Sequence, residues 1–401
     1  MADERVSSVM SGVAVRAMGV VLMLLFAVAV VGTTSDRMSA TKPLWEQVVP
    51  RPFADNAWRT RALLAVRRGD GPAALGAARS AIRSGPIEPG SSDLLGSALL
   101  LVGQADEADR AFRVAGQMGW RRPATQVYWM QQALVEGDYA VAVTRLDALL
   151  RQSPKLAGDP ALMQQFESSP RGAPILLARL ADRPPWTPDY LVQVEGLSLS
   201  ELDDRARVLN NLAARIGPLG CAATGAVVDR LVNAGLADRA DSVWRANCPS
   251  QSAGLVGDGD FVHTDLSRRD SLFSWWSPPD SDLSTSTDET QPPSEPRLIV
   301  ASTSPFPRMV AVRRVRLLPG RYRLSWRSLG RDGRGSDRIA ATIDCQWEVD
   351  RGAPATMDTR TGIAVAVVDV GTQCPAPWLS FRVQPGNDEL RFGNVRMVPA
   401  P

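Results

Sequence analysis

Histidine and lysine are nearly missing from this chain of 401 residues. There is one histidine, His263, and two lysines, Lys42 and Lys155, so arginine supplies the remaining basic side chains. His263 has no serine or cysteine partner close to it in sequence, which leaves little basis for a His-dependent acid–base scheme. Also missing are a Gly-x-Ser-x-Gly nucleophile elbow, a Walker phosphate loop and any zinc-ligand spacing. The four cysteines form no Cys-x-x-Cys pair, which argues against a metal centre. The near-balanced charge, net +2, offers no broad electrostatic footprint for nucleic acid. The expectation is a protein with no cofactor, no metal and no catalytic residues.

Charge is absent again between Arg16 and Asp36, where Ala17–Gly32 is almost wholly apolar. With Thr33–Ser35 the stretch reaches roughly the 20 residues needed to cross about 30 Å of hydrocarbon. Arg5 and Arg16 precede it, and the positive-inside bias then leaves residues 1–16 in the cytoplasm and the body outside. The expected order is a cytoplasmic N-terminus (1–16), a transmembrane anchor in the lipid bilayer (17–35) and a linker (36–54). A cleaved signal peptide is the rival reading, since Val30-Val31-Gly32 suits a small-residue cleavage site. Both readings export the body. Cysteine usage agrees: Cys221 with Cys248, and Cys345 with Cys374, fall as one pair in each half of the exported chain. Each bridge would close a loop of about 30 residues, contributing roughly 3–4 kcal/mol in a chain-entropy treatment. Four cysteines allow three connectivities, and spacing alone does not choose among them.

Past residue 54 a period of 34 residues sets in. Gly69, Gly103 and Gly137 share one position, and Ala74, Ala108 and Ala142 share another five residues on. Trp58, Ala81 and Pro86 join the first set, Leu95, Phe112 and Ala115 the second, and Leu146 and Pro154 the third. The period resembles the tetratricopeptide repeat, with an early aromatic, a mid-repeat glycine, small residues on the second helix and a closing proline. That resemblance implies stacked helical hairpins over residues 55–156. The glycine would end the first helix in a left-handed conformation, and the alanine would sit where the two helices cross. Residues 157–250 continue with helical periodicity, for example Leu202, Val208, Leu209 and Leu212, and are read as an extension of the solenoid. Gly235, Ala240 and Trp244 repeat the Gly–Ala–aromatic set out of phase.

From about residue 251 the period changes to two. Tyr322, Leu324 and Trp326 alternate with Arg321, Arg323 and Arg327, as in a half-buried strand. Further strands are expected at 298–301, 309–317, 339–345, 362–368, 378–383 and 390–397, giving a β-sandwich over 251–401. The fold class is therefore α then β, multidomain, with an apolar N-terminal helix, an α-solenoid and a β-sandwich. Asp258-Gly259-Asp260-Phe261, followed by Phe273 and Trp275-Trp276, resembles the opening of jelly-roll domains of the carbohydrate-binding-module type. Val262 stands where that pattern has a Glu that helps hold calcium. With the repeats, Pro319-Gly320-Arg321-Tyr322-Arg323-Leu324, and Cys345 and Cys374 flanking the late strands, the whole arrangement resembles bacterial envelope proteins associated with exopolysaccharide assembly, a likeness of architecture that implies no chemistry.

If the hairpins stack as that repeat family does, the first helix of each lines a concave groove. Asn56, Arg59, Asp93, Ser97, Tyr128 and Gln131 would face it, a mixed polar surface suited to an extended peptide or a partner loop. Trp275 and Trp276 are candidates for stacking on sugar rings, against the reading that a strand tryptophan fills the core. Asp280, Asp282, Asp288 and Glu289 fall in a Ser/Thr/Pro-rich stretch, 277–296, read as a mobile loop and not as paired glycosidase acids. The expected function is a non-catalytic, membrane-anchored periplasmic adaptor that binds a protein partner. The alternative is a carbohydrate-binding protein, with polysaccharide as the ligand of the C-terminal domain.

Overall fold

The computed structural model describes residues 2–119, 121–292, 294–347 and 352–401. Helix α1 spans Ala2–Thr41, and its part from Arg16 on is long and apolar enough to cross a membrane. From Met18 to Val31 nearly every large side chain points outward, as for Met23 at 73% exposure. From Gly32 on, one face is covered. Beyond Gly32 no proline or glycine falls in the ladder before Pro43, and the Thr33, Ser35 and Ser39 hydroxyls donate back to carbonyls one turn earlier. The segment expected as a linker therefore begins as helix. Asp36 then does structural work at long range: its carboxylate accepts the N–H groups of Asn56 (3.0 Å) and Ala57 (2.9 Å) and the Asn56 side-chain amide (2.8 Å). The two N–H groups are orphan donors at the start of the next helix, and a carboxylate there also meets the positive end of the dipole.

The chain divides into two compact units at Gln152/Ser153. In the first, three hairpins follow α1: α2 (Asp55–Arg67) with α3 (Gly71–Ser84), α4 (Pro89–Leu101) with α5 (Ala105–Met118), and α6 (Pro123–Val135) with α7 (Tyr139–Gln152). Gly69, Gly103 and Gly137 all adopt left-handed φ, at 72°, 76° and 77°. In each case the next residue's N–H reaches back five positions to close the helix: Asp70 to Ala65, Gln104 to Leu99, Asp138 to Ala133. A Cβ would strain that φ, so glycine recurs there. Ala74, Ala108 and Ala142 are fully buried in the second helices, at the positions the 34-residue spacing assigns to the crossings. Gly96 makes a further close approach: a Cβ there would meet the Phe112 ring at 2.8 Å. Gly96→Leu is expected to cost the first unit roughly 1–3 kcal/mol through overpacking, read as a lower denaturation midpoint, while Gly76→Ala, at an open position, should cost nothing.

The second unit opens with α8 (Pro160–Glu167), α9 (Gly172–Ala181), α10 (Thr187–Val192) and α11 (Leu199–Ile216). Helix α11 starts with a capping box, in which Ser198 and Glu201 satisfy each other's backbone N–H groups. At the centre lies a wholly buried ion pair. Arg205 donates through Nε to Glu167 and through its two terminal nitrogens to the Tyr190 and Ala157 carbonyls, while the Tyr190 hydroxyl also donates to Glu167. The guanidinium lies 3.7 Å from the Tyr190 ring centroid. Burial, with the Glu167 charge, pushes the Tyr190 hydroxyl well above the ordinary tyrosine value.

Helices α12 (Cys221–Asn233) and α13 (Ala237–Asn247) form one more hairpin, with Gly235 in the same left-handed cap at φ 80°. Cys221 pairs with Cys248, Cα atoms 4.7 Å apart, across the open end of that hairpin. These helices group with the sheets rather than with the first three hairpins. Close packing accounts for this: the α-carbon face of Gly225 lies against the Asp270 carbonyl, leaving no room for a side chain, and Asp229 accepts from the Leu272 N–H (2.6 Å) and the Ser271 hydroxyl (2.7 Å). Burial raises the Asp229 carboxyl above its ordinary value. A raised folded-state value means the folded form holds the proton more tightly. This group's contribution is therefore greatest at pH below the ordinary carboxylate value and falls as pH rises through the raised one. Wild type should gain stability relative to Asp229→Asn as pH is lowered toward that range, whereas Asp229→Ala should lose about 1–3 kcal/mol at pH 7 by orphaning two donors. Denaturant titrations at both pH values check this.

The C-terminal strands are β1 (Leu283–Thr287), β2 (Leu298–Ser302), β3 (Arg308–Arg314), β4 (Gly320–Gly330), β5 (Ile339–Asp344), β6 (Ala355–Asp358), β7 (Ile363–Val370), β8 (Trp378–Val383) and β9 (Leu390–Pro399). They form two antiparallel sheets, β1-β2-β9-β4-β7-β6 and β3-β8-β5, packed as an open sandwich. Tyr322, Leu324 and Trp326 point into the core and Arg321 and Arg323 into solvent, as the alternation requires. Two strands were not expected. β1 lies inside the stretch read as a mobile loop, and it pairs with β2 over its whole length. Its Leu-Ser-Thr-Ser-Thr sequence carries no apolar alternation because it is an edge strand with little buried face. β6 is likewise a short edge. Cys345 pairs with Cys374, Cα atoms 5.7 Å apart.

Candidate functional site

The largest convergence of the expected site residues is in the first unit. Asn56, Arg59, Asp93 and Ser97 line one cavity of about 410 Å³, together with Thr60, Arg67, Glu88 and Arg122. Helices α2 and α4 supply most of its wall, and the start of α6 closes it. The 34-residue repeat places equivalent first-helix positions in one row, so Arg59 and Asp93 occupy the same place in successive hairpins. Arg59 is held by Asp55 (3.0 Å) and by the Asn56 side-chain oxygen (2.8 Å). Asp93 is buried and accepts from the Thr125 hydroxyl (2.6 Å) and from Arg122 (3.4 Å), which ties the second hairpin to the third. The wall thus carries arginines from α2 and from the residue before α6, and acids at and just before α4, with Arg59 and Asp93 held in place. Such a surface can exchange hydrogen bonds with a polar, extended ligand.

Two of the six expected residues lie elsewhere. Tyr128 is a packing residue: its ring stacks on Phe112 at 4.2 Å and its hydroxyl donates to Asp109 at 3.1 Å. Burial raises the Tyr128 hydroxyl, and the hydrogen bond from Arg113 holds Asp109 below the ordinary carboxylate value. An aromatic on α6 finds α5 before it finds the cavity. Gln131, one turn further along α6, is partly exposed but does not line the cavity. Glu88 and Arg122 were missed in the sequence reading. They are themselves 34 residues apart and each precedes a helix-starting proline, Pro89 and Pro123, which is the signal that would have found them.

In the sandwich, Trp275 corrects the sugar-stacking expectation. It has no exposed surface, and its ring packs on Phe261 (5.6 Å) and Phe381 (5.9 Å), so it belongs to the core. Trp276 forms an isolated antiparallel bridge with Val312 and is half-buried. Trp347 stacks on it at 5.5 Å, and the Arg269 guanidinium lies 5.2 Å from its centroid. Trp378 meets the Trp347 edge at 5.3 Å. Trp276 is thus already engaged by protein groups.

Three of the four candidate acids of 277–296 are engaged with arginines: Asp280 and Asp282 with Arg308 (3.4 and 2.7 Å) and Asp288 with Arg391 (3.2 Å), while Glu289 is exposed. Asp258 accepts from the Val262 and His263 N–H groups and the Thr264 hydroxyl, which closes a tight turn where the calcium-module pattern would place a ligand. Asp260 binds Arg396 (2.6 Å) and Asn394 (2.9 Å) on β9. Among the described residues no group of three or more His, Cys, Asp or Glu side chains is placed to hold a metal ion. No protein-family model and no curated protein matches this chain.

Proposed function

We propose that this protein is a membrane-anchored adaptor whose first unit, a set of tetratricopeptide-like repeats, holds a protein partner in the cavity formed by α2, α4 and α6. The observation that carries this reading is the shared lining: four of the residues picked out by repeat spacing converge there, with charges pinned by neighbouring side chains. A mixed wall of preset geometry, its charged side chains set among Leu63, Val66 and Leu94, favours an extended peptide or loop, because the ordering cost falls on the ligand alone. Helix α1 is read as an uncleaved anchor, with the body on the periplasmic side of a bacterial inner membrane and a role in exopolysaccharide or envelope assembly. The test is capture from membranes by the full chain, compared with Ser97→Trp, which fills the cavity from a partly exposed position on α4. Loss of one captured protein, with unchanged thermal stability, supports the reading. Equal capture by both proteins overturns it.

A further inference from the structure

The contacts among α1, α2 and α3 establish which edge of the first unit lies next to the apolar end of α1. Helix α2 runs parallel to α1, because Asp36 accepts from Asn56 and Ala57 while Ser39 accepts from the Thr60 hydroxyl (3.1 Å). Between the two helices the chain doubles back along α1, and the Phe53 ring lies so close to Gly32 that no Cβ fits between them. Helix α3 then runs back beside α2, bringing Gly85 to Asp55, where a Cβ would lie 2.8 Å from the carboxylate.

The turn that follows, Pro86–Glu88, is therefore level with the first turn of α2. Asp36, which caps that turn, is four residues beyond Gly32, or about 6 Å of helix. The exposed apolar face of α1 ends at Val31, 67% exposed. Ile87, at the tip of the turn, is 86% exposed, the highest value of any large apolar side chain described. Arg51, beside Phe53, is also exposed. A headgroup layer is roughly 5–8 Å thick on each side of the hydrocarbon, which covers the level of both residues.

We propose that this edge of the first unit, with Arg51 and Ile87 on it, is a membrane-contact surface seated in the headgroup layer of the bilayer that α1 crosses. The inference rests on the anchor reading and extends it. An isoleucine so exposed on a soluble surface gains nothing from water, whereas beside a span it removes apolar area from solvent. Arg51 at the same level can pair with lipid phosphate. The clamp of Asp36 on α2 holds the hairpins to the span, so this contact also sets how the first unit stands on the membrane.

The test uses the full chain reconstituted in vesicles of two parts phosphatidylcholine to one part phosphatidylglycerol. Single reporters are Leu24→Cys, Ile87→Cys and Arg68→Cys, each labelled with an environment-sensitive fluorophore while the native cysteines remain in their disulfides. Arg68 is exposed at the opposite end of α2. Nitroxide lipids labelled at the headgroup or in mid-chain serve as quenchers. The label at 87 is expected to lose about half of its emission to headgroup nitroxide, the label at 24 to be quenched by mid-chain nitroxide, and the label at 68 by neither. Quenching at 24 but not at 87 overturns the contact surface and leaves the anchor standing. No quenching at 24 overturns the anchor reading, and the inference with it.

Discussion

Replacing Arg205 by leucine is expected to destabilise the second unit by about 3–5 kcal/mol, because it strands the Glu167 carboxylate in a site without water. Arg205 serves four partners on separate segments: Glu167 at the end of α8, the Tyr190 carbonyl and ring on α10, and the Ala157 carbonyl in the turn before α8. Leucine replaces none of them. Lysine keeps the charge but cannot reach two carbonyls and a carboxylate at once, so Arg205→Lys should fall between. The double change Arg205→Leu with Glu167→Leu should recover much of the loss, since the burial penalty of the unpaired charge disappears. Denaturant unfolding of wild type, Arg205→Leu, Glu167→Leu and the double variant measures the coupling, with Arg205→Lys as the fifth protein. A single-mutant loss below about 1 kcal/mol would mean that the pair is hydrated in solution.

The second large effect is expected in the first unit and is functional. Ser97→Trp and Arg59→Glu should each weaken partner capture at least about thirtyfold, the equivalent of a ~2 kcal/mol hot spot. Ser97 is partly exposed and its hydroxyl donates only to the Asp93 carbonyl of its own helix, so a larger side chain can turn into the cavity without disturbing the hairpin crossing. Arg59→Glu reverses a wall charge beside Asp55 and leaves the buried alanines untouched. Asp93 and Tyr128 are unsuitable for this purpose. One anchors Thr125 across hairpins and the other stacks on Phe112, so changing either would damage the scaffold and the site together.

The hairpins were legible because their constraints fall on backbone geometry. A left-handed cap rejects side chains, so Gly69, Gly103 and Gly137 mark the helix ends in the bare sequence. Strand β4 was legible for a similar reason, its core-facing Tyr322, Leu324 and Trp326 alternating with solvent arginines. Features fixed only by tertiary contact were not legible. β1 exists because β2 offers it a ladder, and its Ser/Thr sequence says nothing of that. The Trp275-Trp276 pair showed that one ring would face inward, but which one was set by Phe261 and Phe381, elsewhere in the chain. Four of the six groove residues reached the cavity because repeat spacing fixes a face of each first helix. Tyr128 did not, since a helix packed between neighbours has two buried flanks and spacing does not separate them from the open one.

The measurement closest to the central claim is photocrosslinking in intact membranes from two positions in turn, Arg67→Cys at the exposed rim of the cavity and Arg323→Cys on the outer face of β4, each carrying a benzophenone. The groove account predicts one protein adduct at position 67, lost when Ser97→Trp is added, and none at 323. Adducts at 323 alone, or an adduct at 67 that survives the filled cavity, would contradict it.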